Sequence, residues 1–226
     1  GNDNIGIGFT SLNFNTTGAN NVAIGRDSLK ANTTASDNTA VGYQSLLDNT
    51  TGSSLVAVGR EALANNTTGA NNIAVGRSAL ITNTTGNFNT AMGDSALFSN
   101  TEGASNVAVG QSAGQFATTA ASSCFVGKDA AKGITGSKLN GDNNTCIGST
   151  SGLVLQDSAS GNTLVGAGCG AALTTAADNV FIGITAGSNM TTGGGNIIIG
   201  NSDGEAVDVA HQIIMGNSVT GVGQDQ

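Results

Sequence analysis

Proline and tryptophan are absent from this 226-residue chain, and tyrosine occurs once. Aromatic residues make up 4%, which excludes a large aromatic-rich core. Proline is missing and glycine does not recur at every third position, which excludes collagen. Basic residues number seven and lie scattered, against a net charge of −8. No basic stripe exists to neutralise phosphates, so nucleic acid is not an expected partner. No run of about 18 apolar residues is present, so no membrane insertion is expected. No signal peptide is visible either. The chain opens at Gly1-Asn2-Asp3-Asn4, part-way into a repeat, and reads as a piece of a longer protein.

Chemistry-bearing residues are equally scarce. The single histidine, His211, has no nucleophile at a plausible offset and reads as a surface or turn residue. Cys124, Cys146 and Cys169 lack the clustering of a metal site. Each falls on a repeat position otherwise held by Val, Ala or Ser. Small buried side chains are expected there, with a disulfide between adjacent coils as the alternative. Gly193-Gly194-Gly195 is followed by no Gly-Lys-Ser/Thr and reads as a turn, not a phosphate loop. No catalytic set, metal site or cofactor is expected.

What is abundant is glycine, 35 residues of it, and most of its pattern is periodic. The unit is clearest at Asn21-Val22-Ala23-Ile24-Gly25. It returns at Gly8, Gly25, Gly42, Gly59, Gly76, Gly93, Gly110, Gly127, Gly148, Gly166, Gly183, Gly200 and Gly216. The first seven intervals are 17 residues; the later ones are 21, 18, 17, 17 and 16. A fixed period of this length predicts a parallel β-solenoid of about 13 coils, each burying its apolar face against its neighbours. Residues 1–110 carry one subtype and 111–226 another, in one continuous elongated domain.

The three residues before each glycine are predicted to form a strand. The first and third, such as Val22 and Ile24, share one face; the second, Ala23 or later Phe125 and Phe181, lies on the other. Both faces are apolar, so both should be buried. One is the inside of the coil. The other needs cover, most simply from further copies of the chain; two would serve as well as three on pattern alone.

An internal exchange identifies the inner face. Four residues after the glycine, early repeats carry Leu12, Leu29, Leu46, Leu63, Leu80 and Leu97. Later ones carry Gly114, Ala131, Gly152, Gly170, Gly187 and Gly204. The leucine disappears about where the strand-centre alanine becomes Phe, Leu or Ile, as close packing requires if the two positions touch. The repeat with both Ala108 and Gly114 looks underpacked. The adjacent inward pair, such as Ala62-Leu63, suggests a helical turn or tight bend rather than a second short strand.

Asn-Thr-Thr-Gly, which follows in early repeats, is turn chemistry, with Gly or Asn able to take φ > 0. Its Asn15, Asn32, Asn49, Asn66 and Asn83 fit the glycosylation sequon, here read as a coincidence with that chemistry. An insertion near 132–142 reads as a protruding loop. Asparagine opens the strand in ten of thirteen repeats, from Asn4 and Asn21 to Asn196, and predicts a hydrogen-bonded ladder. Asp27, Glu61 and Asp129, beside Arg26, Arg60 and Lys128, read as a solvated row.

The tandem run N-x-A-[IV]-G-x-x-[AS] resembles the heads of trimeric autotransporter adhesins, the YadA-like heads. The version with Leu and Asn-Thr-Thr-Gly, as in 72–86, is similar to repeats of bacteriophage tail fibres. The resemblance covers essentially the whole chain. It implies a left-handed β-roll, assembled as a homotrimer, in an adhesive fibre. Repeats near 14 residues are usual in those heads, and 206–226 shows no stalk heptad.

The expected function is therefore a non-catalytic structural or adhesive fibre segment, at a cell surface or on a virion. Its partners would be itself and a host or cell-surface receptor, glycan or protein. Exposed candidates for contact are Tyr43, the insertion around Lys138, and the loop at Met190. A self-assembling extracellular filament is the alternative. An ice-binding solenoid, using the Thr16-Thr17, Thr33-Thr34, Thr50-Thr51, Thr67-Thr68 and Thr84-Thr85 pairs, is a weaker one.

Overall fold

The computed structural model describes residues 1–202 and 209–217; Gly204 and parts of the 206–226 stretch lie outside them. The fold is a parallel β-solenoid. Its strands are β1 (Ile5–Ile7), β2 (Val22–Ile24), β3 (Thr39–Val41), β4 (Val56–Val58), β5 (Ile73–Val75), β6 (Thr90–Met92) and β7 (Val107–Val109). They continue with β8 (Cys124–Val126), β9 (Thr145–Ile147), β10 (Thr163–Val165), β11 (Val180–Ile182), β12 (Ile197–Ile199) and β13 (Ile213–Met215). All pair in sequence order in one 13-stranded sheet. The sheet runs from β7 into β8 without a break, so the two repeat subtypes share one ladder.

Register follows the repeat. Ala57 stands beside Ala74, and Val58 beside Val75. Each strand stops one residue before its repeat glycine, and that glycine explains the spacing. At Gly76 φ is +137°, a conformation side chains rarely adopt, and a Cβ there would lie 2.5 Å from the Gly93 carbonyl oxygen. The next coil fills the space a side chain would need. The same contact recurs from Gly25 on Gly42 to Gly183 on Gly200.

No helical turn follows the glycine. Among the described residues the structure contains no helix. In the coil after Gly59, Glu61 has φ 59° and Leu63 has φ 51°. A helical turn needs consecutive right-handed residues, and here every second one is left-handed. The alternation aims amides in opposite directions along the stack. Glu61 N–H donates to Tyr43 O in the preceding coil at 2.8 Å, and Leu63 N–H to Ala79 O in the following coil at 3.0 Å. The corner thereby continues the ladder that the three-residue strand begins. Ala62 and Leu63 still both face inward and are fully buried.

Left-handed leucine costs about 1–2 kcal/mol, and burying its side chain contributes about 1.5–3 kcal/mol. Later coils resolve this tension by exchange. A Cβ on Gly187 would lie 2.4 Å from the Phe181 ring, and one on Gly170 3.1 Å from Leu164. The two positions therefore touch inside the coil. The coil with Ala108 and Gly114 is not underpacked. Phe125 reaches back from the next strand, 2.6 Å from where a Gly114 Cβ would sit, because its own coil carries Ala131.

The turn glycines also differ from expectation. Gly18, Gly52, Gly69, Gly86 and Gly103 are not left-handed. Their partner asparagines are not either. The left-handed residue comes just before the residue that opens the strand, at Asn20, Asp37, Asn71, Asn143, Asp178 and His211 among others. Asn and Asp tolerate this region best.

Two asparagine ladders run through the stack. The expected one opens the strands: Asn38 N–H donates to Asn21 Oδ1 at 3.1 Å, and Asn106 N–H to Asn89 Oδ1 at 3.0 Å. The second uses the asparagine of Asn-Thr-Thr-Gly. Asn66 Nδ2 donates to Asn49 Oδ1 at 2.8 Å and to Gly69 O at 2.9 Å. Asn83 and Asn100 continue it. It stops at Asn100, whose buried Oδ1 has no partner. The next coil offers Ala117 there, and beyond it come Leu139, Leu155, Leu173 and Met190, all buried.

This predicts unequal costs along one column. Asn66→Leu orphans Asn49 Oδ1 and should cost about 2–4 kcal/mol in urea unfolding. Asn100→Leu only moves an existing orphan one coil back, to Asn83, and should cost less than half as much. Equal costs would mean the ladder contributes nothing specific.

The insertion is narrower than expected. Ile134 and Ser137 close a tight hairpin, and Leu139 returns to the stack between Ala117 and Asp157.

Candidate interaction surface

The outer sheet face follows from strand geometry. With the central residue inside, the first and third residues must point out. They form two columns of Val, Ile, Thr and Met along the whole sheet. Ile24 is 37% exposed, Ile73 40%, Met92 44%, Ile182 40% and Ile199 36%. Nothing within the described chain covers them. This is the face for which the sequence predicted burial.

Beside it runs a column of residues that follow the repeat glycines. Tyr43 is exposed, with the Arg26 and Arg60 guanidinium carbons 5.9 and 5.8 Å from its ring centroid. Both cations lie over the ring, and Tyr with Arg is the usual chemistry of interface anchors. Arg60 also pairs with Glu61 at 3.1 Å, and Arg77 with Asp94 at 2.8 Å.

The acids behind these cations are not a solvated row. The Asp27 side chain is only 8% exposed. It accepts hydrogen bonds from Thr10 and Arg26 and pairs with Lys30 at 3.2 Å. The Thr10 hydrogen bond, then the neighbouring Lys30 and Arg26 charges, hold its carboxyl below the usual carboxylate range. The Asp27 site sits in the first coils because Thr10 stands one coil before it.

Of the predicted contact residues, Tyr43 and Lys138 are exposed and Met190 is not. Met190 fills the inner column that Asn100 vacates; a polar-to-apolar change at constant spacing was the signal. The sequon asparagines from Asn32 to Asn83 are fully buried with Nδ2 engaged, so they offer no acceptor for a glycan. In each threonine pair the first hydroxyl donates to the next coil, as Thr67 Oγ1 does to Thr84 O at 3.0 Å. The first hydroxyl of each pair is thus engaged within the stack and only the second is free to donate outward, which weakens the double threonine rows of an ice-binding face. His211 and Gly195 occupy the left-handed turn position.

The cysteines divide by position. All three are free. Cys146 and Cys169 are buried, and Cys124 lies half-exposed in the outer column. Burial pushes the Cys169 thiol up to about 12 and Cys146 higher still. Reactivity belongs to the thiolate. An uncharged maleimide at pH 8 should therefore leave Cys146 and Cys169 unlabelled in the native chain and label all three thiols after unfolding, with native labelling confined to Cys124 and only where no second copy covers the outer face. Native labelling of Cys146 or Cys169 would contradict this core.

Among the described residues no group of three or more His, Cys, Asp or Glu could hold a metal ion. No described helix is long and apolar enough to cross a membrane. A comparison with family models, curated proteins and solved structures finds no match to this chain.

Proposed function

We propose that the chain is a non-catalytic structural and adhesive fibre segment of a cell or virion surface, assembled as a homotrimer through its Val/Ile face. The observation that carries this is the uncovered apolar face. Thirteen strands stacked at ~4.8 Å make a strip roughly 60 Å long. Soluble monomers rarely leave contiguous apolar patches beyond a few hundred Å². The strip is in register and repeats coil by coil, so a second copy with the same spacing matches it at every level. Three copies about one axis cover all three strips and close the assembly. Weak contacts on three aligned surfaces then add through avidity, as attachment to a receptor-bearing surface requires.

Sedimentation equilibrium on the purified chain tests the assembly. A mass near three times 22.0 kDa is expected. A clean monomer would remove the trimer and leave a single-chain solenoid with an exposed sheet.

A further inference from the structure

The insertion after Gly127 builds a feature that the regular coils lack. Its hairpin, with Lys138, stands at one end of a shallow groove between two side-chain columns. Together they line an open cavity of about 280 Å³, just below the ~300–1,000 Å³ of ligand pockets. Thr82, Ser99 and Phe116 line it from one column, Thr101 and Thr118 from the other, and Ser137 and Lys138 from the hairpin.

The lining has a definite chemistry. The threonine hydroxyls donate elsewhere: Thr82 to Phe98 O at 2.6 Å, Thr101 to Thr118 O at 3.3 Å, and Thr118 to Asn140 Oδ1 at 2.6 Å. Their oxygens remain as acceptors. Among the described residues, the Ser99 and Ser137 hydroxyls and the Lys138 ammonium have no partner within the chain. These are the free donors. Phe116 supplies the apolar surface. A Cβ on Gly133 would lie 3.1 Å from Phe116 Cβ, so the glycine lets the hairpin pack against this aromatic side chain.

A matching ligand carries several hydroxyls, one flat apolar face and one negative charge. We infer that this cavity binds a saccharide ring bearing a carboxylate, with the carboxylate on Lys138, the ring against Phe116 and its hydroxyls on Ser99, Ser137 and the threonine oxygens. The unpaired Lys138 ammonium favours an acidic sugar over a neutral one, locally outweighing the repulsion of a chain of net charge −8. The inference deepens the attachment reading and rests on it for its biological sense, although the cavity lies within one copy.

The test is a titration of the ¹⁵N-labelled full chain with glucuronic acid, N-acetylneuraminic acid and, as a neutral control, glucose. Saturable shifts are expected with at least one acid at millimolar concentration, centred on the amides of Ser99, Gly136, Ser137 and Lys138. Glucose should bind about tenfold more weakly. Lys138→Ala, at an exposed position that leaves the stack intact, should abolish that preference. Phe116→Ala should weaken acid and glucose alike. Absence of saturable shifts with both acids, shifts centred elsewhere, or an unchanged preference in Lys138→Ala would each overturn the inference. Sedimentation separates the two proposals. A trimer that binds neither acid keeps the fibre and loses the cavity; a monomer that binds one keeps the cavity and loses the trimer.

Discussion

Gly76→Ala is expected to destabilise the solenoid by at least about 3 kcal/mol, among the largest effects of any single methyl added to this chain. Two costs combine. Alanine at φ +137° is strained, and its Cβ would lie 2.5 and 2.6 Å from the Gly93 carbonyl oxygen and carbon. Relief requires the two coils to separate. Separation breaks the bonds that join them, including Gly93 N–H to Val75 O at 2.8 Å. Each coil rests only on its neighbours, so the damage is not spread over a wider core. Urea unfolding of Gly76→Ala beside Gly136→Ala separates the contact from backbone strain. Gly136 also has positive φ, +92°, but no atom within 4 Å of its Cβ position, and should cost distinctly less. Equal losses would mean that strain alone, not the coil contact, explains the glycine row.

The second large effect concerns assembly rather than folding. Val58→Asp with Val75→Asp places two carboxylates on the outer face of β4 and β5, in register as neighbours. In an isolated chain both sites touch water, since Val58 is exposed and Val75 half-exposed. The coil should therefore survive, at a cost of about 1 kcal/mol from like-charge repulsion and lost β-propensity. At a three-fold axis the same substitution would bring six carboxylates together away from water, each desolvated at several kcal/mol. The expected result is a folded chain that sediments as a monomer, with unchanged far-ultraviolet circular dichroism. A variant that still forms the wild-type oligomer would show that assembly does not use this face. One that unfolds as a monomer would show that the face is needed within the coil.

Much of this architecture was legible because solenoids repeat their physics. The recurring glycine placed every strand, at intervals of 16 to 21 residues, and the alanine-to-phenylalanine exchange at the strand centre identified the inner face. Burial of Phe125 and Phe181 bears that reading out. The left-handed leucine was not legible. Leucine seldom adopts positive φ, and an inward Ala62-Leu63 pair is what a helical turn would also produce. The available clue was that Gly114, Gly152, Gly170 and Gly187 stand in its place later on. The second asparagine ladder was hidden for a different reason. Asn-Thr-Thr-Gly is such good turn chemistry that its asparagine had an adequate local explanation. Its replacement by Leu155, Leu173 and Met190, at constant spacing, showed that the position points inward. The cavity beside the insertion depends on how a short hairpin stands against the side-chain columns of three earlier coils, and no periodicity encodes that.

The interrupted ladder at Asn100 bears on mechanics. A solenoid pulled along its axis carries the force through every coil boundary in turn, like links of a chain. The boundary that yields first is the one with the weakest cross-link. Between Asn100 and Ala117 the bond of the second asparagine ladder is missing, and a leucine-packed interior gives way to one filled by Phe125. Under tension this junction is the expected first point of rupture. The two halves would part there as separately stacked blocks, the first carrying both asparagine columns and the second keeping the strand-opening asparagines with bulkier apolar side chains in place of the other column.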